Sequence, residues 1–303
     1  MAPRGRRSCV IDALRSPAGE RARRGGGACQ RGVPRGVSQV RGRVVSPQPS
    51  AFDELAADYD RQFSETELGG RLRARVWRRI EAALSPDSRI LDLGCGTGRD
   101  AVFAASCGAE VVAVDASKEM VAAARRAGAS QRDRVRIYHC AMENLRSQPA
   151  CDGPFDAVIS NFGALNCVAD PTAVIADLGA RMRPGGRLFA CVMGPCVPWE
   201  WGWMLAHGKP LEAFRRLNPA GVRWRGMRIH YPRVGRFRRL CEPTLRVDRI
   251  SALGVFLPPT YVEPWIRSRP RLLRRLDALD RRCETSAWAA RLADHYLVEA
   301  ERI

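Results

Sequence analysis

The sequence predicts an α/β fold in which a mostly parallel sheet is covered by helices on both faces. Between residues 89 and 193, short apolar runs alternate with segments of helical period. A glycine-rich turn, Gly94-Cys95-Gly96-Thr97-Gly98, joins the first of those runs to a small-residue helix. An acid, Asp115, ends the second run 21 residues after Gly94.

Taken in order, structure is expected to begin near Phe52. Ser64 and Glu67 have capping-box spacing, and Leu68, Leu72, Val76, Trp77, Ile80 and Leu84 then recur on one helical face. Strand 89–94 and helix 99–107, which stops at Gly108, form a first βα unit. Strand 110–115 and helix 118–127, capped by Ser117, form a second. Strands 134–140 and 155–160 follow. Asp170-Pro171 then opens a helix over 171–182, and the turn Pro184-Gly185-Gly186 leads into strand 187–193. Parallel neighbours require right-handed crossovers, so this order builds an open sheet buried on both faces. Residues 228–257 read as strand, helix and strand, 261–293 as a basic helical pair, and 295–299 as a closing strand.

Glycine is needed in such a turn where a side chain would hold a ligand away from the backbone, or where φ must be positive. An acid at the end of the following strand can accept hydrogen bonds from both hydroxyls of a ribose. Together they point to a nucleoside-bearing cofactor. A nicotinamide dinucleotide would be expected with G-x-G-x-x-G, whereas the third glycine here comes one position early and Arg99 stands at the expected glycine.

Leu91-Asp92-Leu93-Gly94-Cys95-Gly96-Thr97-Gly98, Val114-Asp115-Ala116-Ser117 and Pro184-Gly185-Gly186 together resemble the class I S-adenosylmethionine-dependent methyltransferases. The likeness covers roughly residues 52–195 and the late strands, and is closest to the small-molecule branch that includes quinone-biosynthesis methyltransferases. It implies a Rossmann-like sheet of seven strands, closed by 295–299 as an antiparallel edge strand, and S-adenosyl-L-methionine as cofactor. It further implies that Asp115 holds the ribose, that the backbone at Gly94 and Gly96 faces the methionine portion within a loop completed by Gly98, and that Asp92 orients the amino group. Ala116 and Met120 would lie along the adenosine. Tyr59 matches a tyrosine that closes over the cofactor, or is an ordinary half-buried aromatic. Relatives carry an acid for the adenine amino group where this chain has Ala141, which leaves the Met142 backbone to read the adenine edge.

The buried strand Phe155–Ile159 delivers Ser160-Asn161-Phe162-Gly163 at its carboxyl end, which puts Asn161 near the transferred methyl. The segment is not Asn/Asp-Pro-Pro-Tyr and holds no Asp-Asn pair, so neither DNA adenine methylation nor a catalytic metal is expected. Methyl transfer from a sulfonium is an in-line displacement served by alignment and exclusion of water, and a base is required only if the acceptor must lose a proton. His230 and His207 are the candidate bases, each with a structural alternative; His139 reads as strand interior and His295 as the first residue of the last strand.

Substrate choice is expected to fall to insertions at about 195–225 and 258–293 of a single domain spanning 51–303. Trp199, Trp201 and Trp203 alternate in the first and read as an aromatic lid or as a helix packed on the core. In the second, Arg271, Arg274, Arg275, Arg281 and Arg282 interleave with Leu272, Leu273, Leu276 and Leu279, an amphipathic helix with a solvated face or a contact for an anionic membrane or RNA.

The 303-residue chain carries a net charge of +18, of which the Arg/Gly/Pro/Ser-rich residues 1–50 hold +9. That segment is expected to be a disordered basic tail, and an arm for nucleic acid or anionic lipid is the alternative. Nearly all the cations are arginine, which reads as codon bias and weakens a nucleic-acid inference. The 11 cysteines form no C-x-x-C pair, and no apolar run reaches membrane-spanning length. A cytoplasmic location with reduced thiols is expected. The function anticipated is methylation of oxygen or carbon in an apolar or aromatic small molecule; an RNA methyltransferase and a non-catalytic cofactor-binding protein are the alternatives.

Overall fold

The computed structural model describes residues 52–303; the expected basic tail lies outside them. A π-helical turn, Asp60–Ser64, precedes helix α1, Glu67–Ala83. The helix is capped by Thr66, whose hydroxyl accepts from the Gly69 N–H at 2.9 Å, and not by Ser64. The chain is still helical at Ser64 and turns extended only at Thr66, the geometry that an N-cap needs.

The alternating core then runs as anticipated: β1 (Arg89–Leu93), α2 (Arg99–Ser106), β2 (Glu110–Asp115), α3 (Lys118–Ala127), β3 (Val135–His139), β4 (Phe155–Ser160), α4 (Pro171–Arg181) and β5 (Met182–Met193). Ser117 and Asp170 cap α3 and α4 as expected, accepting from the Met120 and Thr172 N–H groups. The second half holds α5 (Pro198–Ala206), α6 (Pro210–Ala213), a hairpin of β6 (Val222–Trp224) and β7 (Met227–Ile229), α7 (Val234–Cys241), β8 (Leu245–Leu253), α8 (Glu263–Arg267), α9 (Pro270–Cys283), α10 (Ala287–Arg291) and β9 (His295–Arg302). The expected helical pair is thus three helices, broken at Pro270 and at the turn before Ser286.

Seven strands form one sheet in the order β3-β2-β1-β4-β5-β9-β8, parallel except that β9 runs antiparallel to both neighbours. The last strand was expected at the edge. It lies inside the sheet instead, and β8 is the edge. Burial accounts for this, because every residue from His295 to Ala300 is buried, whereas β8 alternates with exposed Arg246 and Arg249.

Side chains of alternate strand residues fill two cores. Leu91, Leu93, Val158 and Leu188 pack with Leu178 of α4 and Phe237 of α7 on one face. Ile90, Ala113, Ile159 and Leu297 pack with Leu68 and Trp77 of α1 and Phe103 of α2 on the other. Connections from β1 and from β4 diverge to opposite sides of the sheet, which opens a crevice beyond their carboxyl ends.

Candidate functional site

The glycine turn sits at the mouth of that crevice. The N–H groups of Gly94 and Cys95 both donate to the Val114 carbonyl, at 2.9 and 3.0 Å, and fasten the turn to β2. All three glycines have positive φ, but for different neighbours. A Cβ on Gly94 would stand 2.5 Å from that of Ala164, and one on Gly98 would stand 2.9 Å from that of Ala124. A Cβ on Gly96 would meet nothing within 4 Å. Gly94 and Gly98 therefore allow close packing, while Gly96 borders free space.

Asp115 ties this turn to the next loop. Its carboxylate accepts from the Gly96 N–H and the Ser117 N–H, each at 2.8 Å. Each oxygen keeps a lone pair for a further donor. Burial raises its pKa against the opposing pull of those two N–H groups. Ala116 is exposed at the rim and its carbonyl lies 3.0 Å from His139 Nε2. His139, expected inside its strand, is exposed because β3 is an edge. Met120 is buried at the start of α3, and Met142 lies over Gly94, its Cε 3.3 Å from where a Cβ would be.

Two of the buried polar side chains that carry unpaired atoms stand at the ends of β1 and β4. Asp92, 1 % exposed at the end of β1, has one carboxylate oxygen with no hydrogen bond, and burial with the nearby Asp100 carboxylate drives its pKa well up. Asn161, 7 % exposed just past β4, leaves both amide atoms unpaired. Orphaned buried polar groups cost free energy and mark places where a ligand completes the bonding. The next residue, Phe162, holds φ +49°, a left-handed conformation that a bulky residue rarely adopts.

The turn Asp60–Ser64 roofs the crevice, tied down by Thr97 Oγ1 donating to Asp60 at 2.9 Å and by Arg99 paired with Asp60 and Glu65. Tyr59 at its head is half-buried against Phe63, and burial pushes its phenol up to about 12. Phe63 meets Phe162 edge-on at 5.2 Å, and the Arg73 guanidinium stacks on Phe162 at 4.5 Å.

Of the four histidines, the structure places His295, not the candidates His207 and His230, in this aromatic cluster. Its ring lies edge-on to Phe162 at 5.7 Å. His207 is exposed at the end of α5, with Nδ1 2.7 Å from the Trp203 carbonyl. His230 is half-buried, and its backbone is bound through both N–H and C=O to Asn166, which also brackets Met193.

Beyond the ends of β5 and β8 lies an apolar groove of about 610 Å³ formed by Trp199, Trp203, Phe256, Trp265 and Trp288, with His207 at its side. The Trp199 indole donates to the Phe256 carbonyl at 2.6 Å. Glu200, on the same helix, is fully buried between Arg215 and Arg216 at 3.1 and 2.7 Å.

Residues 90–186 match the model of a methyltransferase domain family. The tRNA 5-carboxymethoxyuridine methyltransferase of Escherichia coli K12 is 31 % identical over 185 residues, 57 % of this chain and 69 % of that protein. The chain belongs to the class I S-adenosylmethionine-dependent methyltransferases. Within that family, the demethylmenaquinone methyltransferase of Clavibacter sepedonicus is 37 % identical over 148 residues, 48 % of this chain and 58 % of the relative. The chain thus matches less than two thirds of that relative's length. A solved S-adenosylmethionine-dependent methyltransferase from Listeria monocytogenes shares the fold at TM-score 0.53 and 18 % identity, over 77 % of this chain and all but 1 % of its own.

The family's cofactor, S-adenosyl-L-methionine, fits the crevice on three observations: the free space beside Gly96, the open lone pairs of Asp115, and the unpaired oxygen of Asp92. Sequence reasoning put Phe162 at the end of its strand and His295 at the start of the last one, but missed the left-handed backbone of the first and the packing of the two rings. A positive φ and a contact between residues 133 positions apart leave no local sign.

Proposed function

We propose that this methyltransferase methylates oxygen or carbon of an apolar or aromatic small molecule. The tryptophan-lined groove carries the reading, since flat aromatic walls and few polar groups suit an acceptor of that kind. S-adenosyl-L-methionine supplies an electrophilic methyl with a neutral leaving group. The chain's part is to align and to dry. Asp115 accepts from the ribose hydroxyls, Asp92 from the amino group, and Gly96 lets the backbone approach. The Met142 backbone reads the adenine edge, beside Ala116 and Met120. Gly94 and Gly98 keep the loop closely packed. Asn161, next to the methyl, gains in the complex the partners it lacks in the free protein, and Tyr59 with the turn behind it excludes water.

Calorimetry with S-adenosylhomocysteine tests the cofactor part, with saturable binding expected. Turnover of labelled cofactor with demethylmenaquinol, compared with bulk tRNA, tests the acceptor part. The tRNA reading rests on the Escherichia coli relative; methyl incorporation into tRNA, weakened steeply by salt, would replace the small-molecule reading.

A further inference from the structure

We propose that His295 is the general base that takes the acceptor's proton during methyl transfer, oriented by Asp294. This rests on the methyltransferase reading and assigns it a residue.

The placement comes first. His295 opens β9 in register with Met193 of β5 and Leu253 of β8, so it stands at the carboxyl edge beside the end of β4. Strand alternation puts it on the same sheet face as Asp92, because Leu297 and Ile90 share that core. Its ring is 5 % exposed and packs on Phe162, the strained neighbour of the unpaired Asn161. Neither ring nitrogen makes a hydrogen bond among the described residues. The other three imidazoles lie at an exposed edge, at the end of α5, and on a backbone tied to Asn166.

The second observation is what stands behind the ring. Nδ1 is 3.2 Å from an Asp294 oxygen. The other Asp294 oxygen is 2.8 Å from Arg216, which also pairs with the buried Glu200 of α5. Burial raises the Asp294 carboxyl, but Arg216 and then His295 outweigh it and hold the carboxyl far below the usual range. The carboxylate is therefore charged at any working pH. The contact has ion-pair distance without hydrogen-bond geometry, so it is by charge that the fixed anion behind Nδ1 favours a proton on that nitrogen and leaves the Nε2 lone pair free. The groups facing this site are Arg216, Arg215 and Glu200 from the lid side, Tyr231 beside Arg216, Arg73 and Asp100 beyond Phe162, and Tyr59 above it. The positive charge on Arg216 is already matched by Glu200 and Asp294, so an acceptor that develops charge needs a proton carrier here.

In the step, the acceptor's O–H or C–H proton passes to Nε2 and the pair left on the acceptor forms the bond to the methyl carbon. The carbon–sulfur bond breaks with its pair on sulfur. S-adenosylhomocysteine leaves neutral, and the imidazolium returns its proton to water after product release. No oxidant or reductant is required.

Two measurements test this. Nitrogen-15 NMR of histidine-labelled protein, with His295 assigned from H295Q, should show a proton on Nδ1 and a free Nε2. A proton held on Nε2 overturns the proposal without any acceptor. With demethylmenaquinol as probe, kcat/KM should fall at acid pH with a one-proton slope. H295Q should lower kcat by about 10²–10⁴-fold and abolish that limb, with S-adenosylhomocysteine affinity kept. D294N should also lower kcat, with S-adenosylhomocysteine affinity kept. An unchanged acid limb in H295Q refutes the base. Loss of S-adenosylhomocysteine binding in the wild type refutes the cofactor reading, and absence of turnover leaves the decision to the tautomer.

Discussion

Replacing Asp280 by alanine should unfold the protein far more easily, and the size of the effect follows from what one carboxylate holds. Asp280 lies on α9 and is 1 % exposed. It pairs with Arg75 of α1, and it accepts from the N–H groups of Gly254, Val255 and Phe256 at 3.1, 2.7 and 2.8 Å. Its neighbour Asp277 takes the other arm of Arg75 at 2.5 Å, so D280A leaves a buried guanidinium with one partner in place of two. Breaking a buried pair from one side costs about 3–5 kcal/mol. The three stranded N–H groups could add more, although such losses do not sum. At about 2–4 °C per kcal/mol for a chain of this size, the melting temperature should drop by on the order of 10 °C. Thermal unfolding followed by circular dichroism measures this, with D280N as an isosteric control expected in between. A fall of less than about 3 °C in a correctly folded D280A would show that the clamp is not what fixes residues 254–257, and with them the Phe256 wall of the groove.

Four further outcomes follow from the site. D115A should weaken S-adenosylhomocysteine binding by about 1–3 kcal/mol, roughly 5- to 150-fold by calorimetry; unchanged affinity would remove its ribose role. G98V should lose stability through both positive φ and the clash with Ala124, about 2–4 kcal/mol in a urea titration, whereas G96V should cost only the backbone strain while cutting cofactor affinity more than tenfold. N161A should leave the melting temperature unchanged or slightly higher, because it removes two unpaired buried atoms, yet reduce turnover; a large stability loss would mean the amide is bonded in the free protein. D92N should stabilise the ligand-free protein at pH 7–8. The folded pKa of Asp92 lies above the unfolded one, so its charged form opposes folding at any pH above both, and that penalty fades as pH falls through the folded value. Equal melting temperatures for wild type and D92N at neutral pH would contradict this.

The αβ core was legible because each of its elements announces itself locally. Ser117, Asp170 and the glycine turn mark ends, and the apolar runs between them have the period of strand or helix. The order of strands is another matter. Nothing near His295 says that β8 will flank β9 on its far side, since that depends on pairing with residues some fifty positions earlier. The charged interior was equally hidden. Arg75 meets Asp277 across 202 residues and Arg216 meets Asp294 across 78, so both look like ordinary surface charges in sequence. This also alters the meaning of the high arginine content. Arg71, Arg73, Arg75, Arg79, Arg181 and Arg216 are held in ion pairs with buried or half-buried acids, and only part of the chain's positive charge is left as a basic surface. The arginines of α9 that face water, Arg271, Arg274, Arg275 and Arg282 among them, remain the ones to which an anionic partner could respond.

The two clusters of buried charge do different work, and the difference can be read from their completeness. The Arg75 cluster is closed: each acid has its cation, Asp280 its backbone donors, and its position between α1 and α9 fixes a loop and nothing that needs to move. At the crevice the accounts are left open, with Asp92 lacking one bond, Asn161 lacking all of its side chain's, and Phe162 held in a strained backbone. Such departures from local consistency lower the stability of the free protein and persist where a ligand supplies what is missing. The network of Glu200, Arg216, Asp294 and His295 joins the two situations. It is ion-paired on the side of helix α5 and open at the imidazole, so the segment that carries Trp199 and Trp203 is linked through Arg216 to the same carboxylate that stands behind His295. If the acceptor enters the groove as proposed, a displacement of α5 is felt at Asp294 through Arg216, and E200Q, which weakens that connection without touching the cofactor residues, should raise KM for the acceptor; an unchanged KM would show that the ion-pair network does not couple the groove to the imidazole.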